Sequence, residues 1–328
     1  MVGFWTVLIA YYWLRQSYIS YLYIWLTTFF KSEYQPFCMR LLIRIFSLLP
    51  LSVLYHIADL LLYPLIYYVA RYRLKVVRQN LQASFPEKLA DERLQLEREF
   101  YHHFADMLVE IVYGYRISDE EMRQRVVFEN VELVEDFAHQ THGVVVYLGH
   151  MGNWEWIADL QKRFADKNMV EYNVYRQLKN PRSDQMMREL RAKRGGECVE
   201  KNQLLRKLVS LRKANHSYML AMLADQKPSK RSTYAWTTFL HRETAFLNGG
   251  ELLAKKFGLS AIYAHILSPK RGYYTIRFEA ITADPNTMSE DQITRKYAQL
   301  LEQNIQQQPS QWLWTHNRWK WGRKELEG

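Results

Sequence analysis

The sequence predicts an α/β fold, a mixed sheet flanked by helices, with membrane-associated helices at its N-terminal end. Three observations carry this. Short β-branched runs alternate with helix-length amphipathic stretches from residue 143 to residue 307, which is the pattern of a sheet covered on both faces. Apolar residues crowd the N-terminal third, where Arg15 is the one formal charge between residues 4 and 30. Beyond that third no internal repeat or low-complexity linker breaks the chain, so a single catalytic-sized domain follows.

The elements read in order as follows. Residues 4–30 are long enough to cross a hydrocarbon core of roughly 30 Å, although their many tyrosines and tryptophans favour the interface. Residues 41–70 carry Arg44, Pro50, His56, Asp59 and Pro64, and read as an interfacial or hairpin-like helical region rather than a clean span. They end in Arg71, Arg73, Lys75 and Arg78, a cluster expected at an anionic lipid surface on the cytoplasmic side. No lysine or arginine precedes the first apolar run and no small-residue cleavage site follows it, which speaks against a cleaved signal peptide. Met39 opens the second apolar stretch. The organisation expected is therefore an apolar segment or extension over residues 1–38, a membrane-associated helical region over 39–85, and the catalytic domain over 86–328.

Within that domain the periodicity predicts a helix over 87–113, with Phe100, Phe104, Leu108 and Ile111 at helical spacing. His102, His103 and Asp106 lie along it without a third clustered ligand, so no metal site is expected. Strands follow at 144–148, 170–175, 197–200, 218–223, 260–266 and 273–280. Helices are expected from 154, from 182, and over 203–213, 245–256 and 290–307.

Composition narrows the function. A formal charge of +10 with 15% aromatic residues suits nucleic acid, an anionic bilayer face or an acidic protein. The basic residues sit beside apolar segments, not along one helix face, and no recognition motif accompanies them, so nucleic acid is not expected. Two cysteines, Cys38 and Cys198, argue against a disulfide framework or zinc site and fit a reducing compartment. No CxxC, Walker-type or GxGxxG pattern points to a nucleotide or other cofactor.

The chemistry gathers at strand ends. The run at 144–148 delivers His150 into a turn that Gly149 and Gly152 permit. On a regular helix His150 and Glu155 would point about 140° apart, so they meet only if His150 lies in that turn. Glu155 would then hold one imidazole nitrogen and leave the other free to take a proton from a hydroxyl. Arg176 and Asn180 follow the second strand, and Asp225 and Gln226 the fourth, at the sheet edge where such folds bind ligands. Finally Trp312, Trp314, Trp319 and Trp321 stand among Arg318 and Lys320. They read either as a plug against the sheet or as an interfacial belt near lipid headgroups.

In order along the chain come Tyr72, Arg73, Asn80, Leu81, Ser84, Phe85 and Pro86; residues 149–155; Tyr175 and Arg176 with Asn180 and Pro181; Asp225 and Gln226; and residues 309–320. This ordered set, spread over residues 40–320, resembles the bacterial lipid A biosynthesis late acyltransferases, the lauroyl/myristoyl transferases within the lysophospholipid acyltransferase superfamily. The resemblance implies transfer of an acyl chain from an acyl carrier protein thioester to a hydroxyl of a lipid A precursor at the bacterial inner membrane, with the catalytic domain on the cytoplasmic side. It implies a His150–Glu155 dyad as general base, Arg176, Asn180, Asp225 and Gln226 around the oxyanion or substrate, and Arg318 and Lys320 near headgroup or carrier. Direct transfer without an acyl-enzyme follows, since no serine or cysteine stands in a nucleophile motif, and no cofactor is expected beyond the thioester. Phe239, Leu240 and His241, then Phe246 to Gly249, depart from the family pattern and leave the acceptor open. The rival readings are a lysophospholipid or aminolipid acyltransferase and a non-catalytic module that docks on membrane or carrier protein.

Overall fold

A computed structural model describes residues 43–327 apart from residues 178, 179, 215 and 231. The apolar stretch 4–30, Cys38 and the whole of region 1–38 lie outside the described residues. Two compact units divide the chain, Met1–Leu48 and Leu49–Gly328, and the second holds the sheet.

It opens with α1, Leu51–Val69, which is long and apolar enough to cross a membrane. Pro64 interrupts it. With no N–H to donate and a ring that crowds the preceding turn, this proline sits between two π-helical turns, Ala58–Leu62 and Leu65–Val69. One face of α1 packs on the domain: Tyr67 donates to Glu97 (2.7 Å), Tyr55 to Glu110 (2.7 Å), and Asp59 pairs with Arg271 (2.8 Å). The other face leaves Leu60, Leu61, Leu65 and Val69 exposed. Next come α2 (Leu74–Ser84) and the long α3 (Ala90–Tyr113), which matches the helix expected over 87–113.

The sheet has seven strands: β1 (Val126–Glu129), β2 (Val144–Leu148), β3 (Val170–Tyr175), β4 (Glu197–Glu200), β5 (Tyr218–Leu223), β8 (Ser260–Lys270) and β9 (Tyr273–Thr282). Their order is β1-β9-β8-β2-β5-β3-β4, parallel except for the β8–β9 hairpin. Helices α5 (Val131–Thr141), α6 (Pro181–Ala192), α7 (Leu204–Ala214) and α8 (Gly249–Phe257) lie between strands, while α4 (Asp119–Arg125) leads into β1 and α9 (Gln292–Gln307) follows β9. All five residues of β2 are buried, because it lies between β5 and β8 with helices over the sheet; this explains its unbroken apolar run.

Two differences from expectation matter. β1, α4 and α5 occupy a stretch for which the pattern gave no element. The helix expected over 245–256 begins instead at Gly249. Residues 245–247 belong to β7 (Arg242–Leu247), which pairs antiparallel with β6 (Tyr234–Phe239) in a hairpin apart from the main sheet. Its two-residue turn, Leu240 and His241, has φ of 49° and 64°, a geometry normally taken by Asn-Gly. Burial of Leu240 and its N–H bond to Glu302 on α9 (3.1 Å) hold the turn.

Candidate active site

β2 and β5 are parallel neighbours with Leu148 opposite Leu223. His150 and Asp225 each stand two residues past those partners, so the register brings them together at the sheet edge. Asp225 accepts from the His150 backbone N–H (2.8 Å) through one oxygen and contacts Nδ1 (2.5 Å) with the other. Its first oxygen also accepts the Trp312 indole N–H (2.9 Å). Burial alone would raise the Asp225 pKa. The His150 charge, the two His150 hydrogen bonds and the Trp312 indole outweigh it and bring the carboxyl down to about 2. Asp225 is thus an acceptor for Nδ1–H, so that whenever the imidazole is neutral its lone pair stands on Nε2. Nε2 faces the amide nitrogen of exposed Gln226 at 3.1 Å, and Trp154 packs edge-on against the ring, centroids 4.8 Å apart.

The turn is tightly built. Gly152 has φ +52°, and a Cβ there would come within 2.9 Å of Tyr274, so glycine meets both the conformation and the close approach. Asn153 donates to Glu110 (3.0 Å), which also accepts from Tyr274 (2.8 Å) and Tyr55. Burial pushes Glu110 up to about 7 against the lowering by those donors. From the other side the C-terminal tail adds a short antiparallel bridge: Gly152 donates to the Gln311 carbonyl (2.9 Å) and Leu313 to the His150 carbonyl (3.1 Å). The tail is in turn held to α2, where Asn80 donates to the Trp314 and His316 carbonyls, both at 3.0 Å.

The residues singled out from sequence separate into two groups. His150, Asp225 and Gln226 come together. Glu155 does not take the imidazole. It lies on a 3-10 helix, Trp154–Lys162, whose tighter turn directs it to α6, where Arg191 grips both of its oxygens at 2.7 and 2.8 Å. The carboxylate expected from Glu155 is supplied by Asp225. Arg176 and Asn180 are exposed beyond the end of β3. Arg318 is not a surface contact: it is 2% exposed, bonds the Ala245 carbonyl (2.6 Å) and lies over Phe246. Burial lowers its pKa to about 10. Lys320 is exposed, its ammonium over Trp321 at 4.6 Å. Trp312 and Trp314 are core residues, so this part of the tail is a plug, not a belt. His102 stacks on Tyr63 and Asp106 pairs with Arg271. Sequence reasoning missed the Trp312 indole, Glu110 and Arg191.

A family model described as "Bacterial lipid A biosynthesis acyltransferase" matches residues 29–321. Among curated proteins, the chain is 23% identical over 256 residues to a lipid A biosynthesis palmitoleoyltransferase of Escherichia coli, covering 76% of this chain and 79% of that one. A lipid A biosynthesis acyltransferase of Shigella flexneri matches with the same identity and coverage.

Proposed function

This chain belongs to the bacterial lipid A biosynthesis acyltransferase family, and we propose on that footing that it carries an acyl chain from an acyl carrier protein thioester directly to a hydroxyl of a lipid A precursor, with His150 as general base and Asp225 as its carboxylate partner. The observation that supports this most is the division of labour on one ring: Nδ1 is held by a buried ionised carboxylate and Nε2 is presented beside exposed Gln226.

An aliphatic hydroxyl is a poor nucleophile near neutrality. As its oxygen attacks the thioester carbonyl, its proton passes to Nε2, and Asp225 stabilises the imidazolium that forms. The tetrahedral oxyanion needs donors; Arg176 and the backbone amides opening the Trp154–Lys162 helix are the candidates. Collapse breaks the C–S bond, and the departing thiolate takes the proton back from His150. Glu155 serves through Arg191, tying the helix that follows the catalytic turn to α6. No cofactor beyond the thioester enters this scheme.

Membrane attachment is part of the reading. The exposed face of α1 runs toward Arg71, Arg73 and Lys75, an apolar ridge beside cations that suits the cytoplasmic face of an anionic inner membrane. The decisive experiment gives purified protein the carrier thioester with a lipid A precursor or with a lysophospholipid, and follows products by mass spectrometry. One added chain on the precursor alone is the expected result. The opposite preference would reassign the acceptor, and transfer to neither would end the proposal.

A further inference from the structure

Three lysine ammonium groups converge on one indole ring. Lys320 lies 4.6 Å from the Trp321 centroid, Lys227 5.4 Å and Lys230 5.8 Å. Attraction to the ring face offsets part of their mutual repulsion, but a single indole cannot neutralise three charges. Arg73 adds a fourth cation to this neighbourhood, fastened through its guanidinium to the Thr315 carbonyl at 3.0 Å. Lys227 is held below the ordinary lysine value, first by partial burial and then by the charges of Lys320 and Arg73.

The carboxylates of this region are engaged elsewhere. Glu325 accepts the Gly322 N–H (2.9 Å), Glu327 the Trp236 indole (2.7 Å), and Glu243 pairs with Arg323 (2.8 Å). Among the described residues no carboxylate pairs with Lys227, Lys230, Lys320 or Arg73. The cluster also lies close to the catalytic base, since Lys227 follows Gln226, whose amide is 3.1 Å from His150 Nε2.

We propose that Lys227, Lys230 and Lys320, gathered around Trp321, form a phosphate-binding site that seats a phosphorylated substrate beside His150. The proposal rests on the acyl-transfer reading above and adds to it the group that is recognised. Compact ammonium groups on flexible stems close readily on one multiply charged anion. A broad acidic protein face would instead call for cations spread over a surface. Two substrates could bring the phosphate: the glycolipid acceptor, or the carrier's phosphopantetheine arm.

The test uses the full chain in detergent with two acceptors, a phosphorylated acylated disaccharide and the same molecule after phosphatase treatment. It also uses two donors, the carrier thioester and the same acyl chain on N-acetylcysteamine, a thiol arm lacking phosphate. The triple substitution Lys227→Gln, Lys230→Gln, Lys320→Gln should raise KM about tenfold for whichever partner brings the phosphate, with the loss steepest at low salt. It should also shrink that partner's advantage over its phosphate-free counterpart. The triple Lys→Arg variant should keep the advantage. Independently of turnover, the phosphate-bearing partner should protect these three lysines from amine-reactive labelling read by mass spectrometry, and its phosphate-free counterpart should not. Absence of transfer by wild type would defeat the acyl-transfer reading, while the labelling would still decide the site. Unaltered preferences in the triple Gln variant, or equal labelling with and without phosphate, would overturn the proposal.

Discussion

Replacing Trp312 by phenylalanine tests whether the tail takes part in the chemistry or merely fills space. The indole N–H is one of three donors on Asp225, beside the His150 backbone N–H and imidazole. Hydrogen bonds to charged groups are worth about 1.5–3 kcal/mol, and each 1.36 kcal/mol is tenfold in rate. If most of that energy holds Asp225 in the orientation that aims the imidazole, kcat should fall about tenfold to a hundredfold while KM for the acceptor changes little. The substitution also removes buried volume, so a matched control is needed. Trp314 provides it: it is 0% exposed, and its indole donates to the Pro309 carbonyl (2.7 Å), not to the His150–Asp225 pair. Trp314→Phe should cost comparable stability in a thermal melt and far less kcat. Equal kcat losses in the two variants, or a folded Trp312→Phe protein within twofold of wild type, would refute the reasoning.

Other expectations follow from the same geometry. His150→Ala should lower turnover by about 10²–10⁴-fold, and adding Asp225→Asn should cost little more, because the two act as a unit; steady-state rates of the single and double variants decide this. Glu155→Gln removes the charge that pairs with the largely buried Arg191 guanidinium and should destabilise by about 1–3 kcal/mol, with Arg191→Met added to it restoring much of the loss in denaturant titrations. Leu60→Glu with Leu61→Glu should weaken sedimentation with anionic vesicles at least about tenfold, since burying two new carboxylates in the interface is costly. Burial raises Glu171 to about 8, so the folded protein holds this proton longer than the unfolded chain. The stability it contributes is present at low pH and is lost as pH rises from the ordinary glutamate range through about 8; Glu171→Gln should flatten that decline in a series of melts.

Much of the architecture was legible because it depends on local pattern. The unbroken apolar run of β2, the helical spacing in α3 and the alternation after residue 143 each report their element directly. His150, Asp225 and Gln226 were legible as strand-end residues on one sheet edge. Their pairing was not, because it depends on which strand lies next to β2 and in what register, and nothing within residues 149–155 encodes that β5 is the neighbour. Hence the imidazole was joined to Glu155, five positions away in sequence, when its partner lies 75 positions away. The β6–β7 hairpin escaped because Leu240 and His241 carry no turn signature and are held by Glu302 from a distant helix. Arg318 read as a surface group because its charge suggests an interface, and Trp312 stayed open between plug and belt because an indole suits both; their burial follows from the tail folding back beneath the hairpin and across the His150 turn.

That returning tail sets an order of events during synthesis. Residues 311–313 border the His150 turn on one side, and Trp312 supplies a donor to Asp225 from 87 positions downstream. At about 5–20 residues per second, the roughly 160 residues between His150 and Leu313 take on the order of ten to thirty seconds to make. Asp225 is made 75 residues after His150, so for roughly the last 90 of those residues, about four to eighteen seconds at the same rate, the nascent chain carries His150, its carboxylate partner and the apolar ridge of α1. On the reading proposed above it can reach the membrane before the His150 turn is braced. Ribosome-bound chains arrested before Pro309 should accordingly sediment with vesicles yet transfer no acyl chain, and activity from such chains would show that the turn sets itself without the tail.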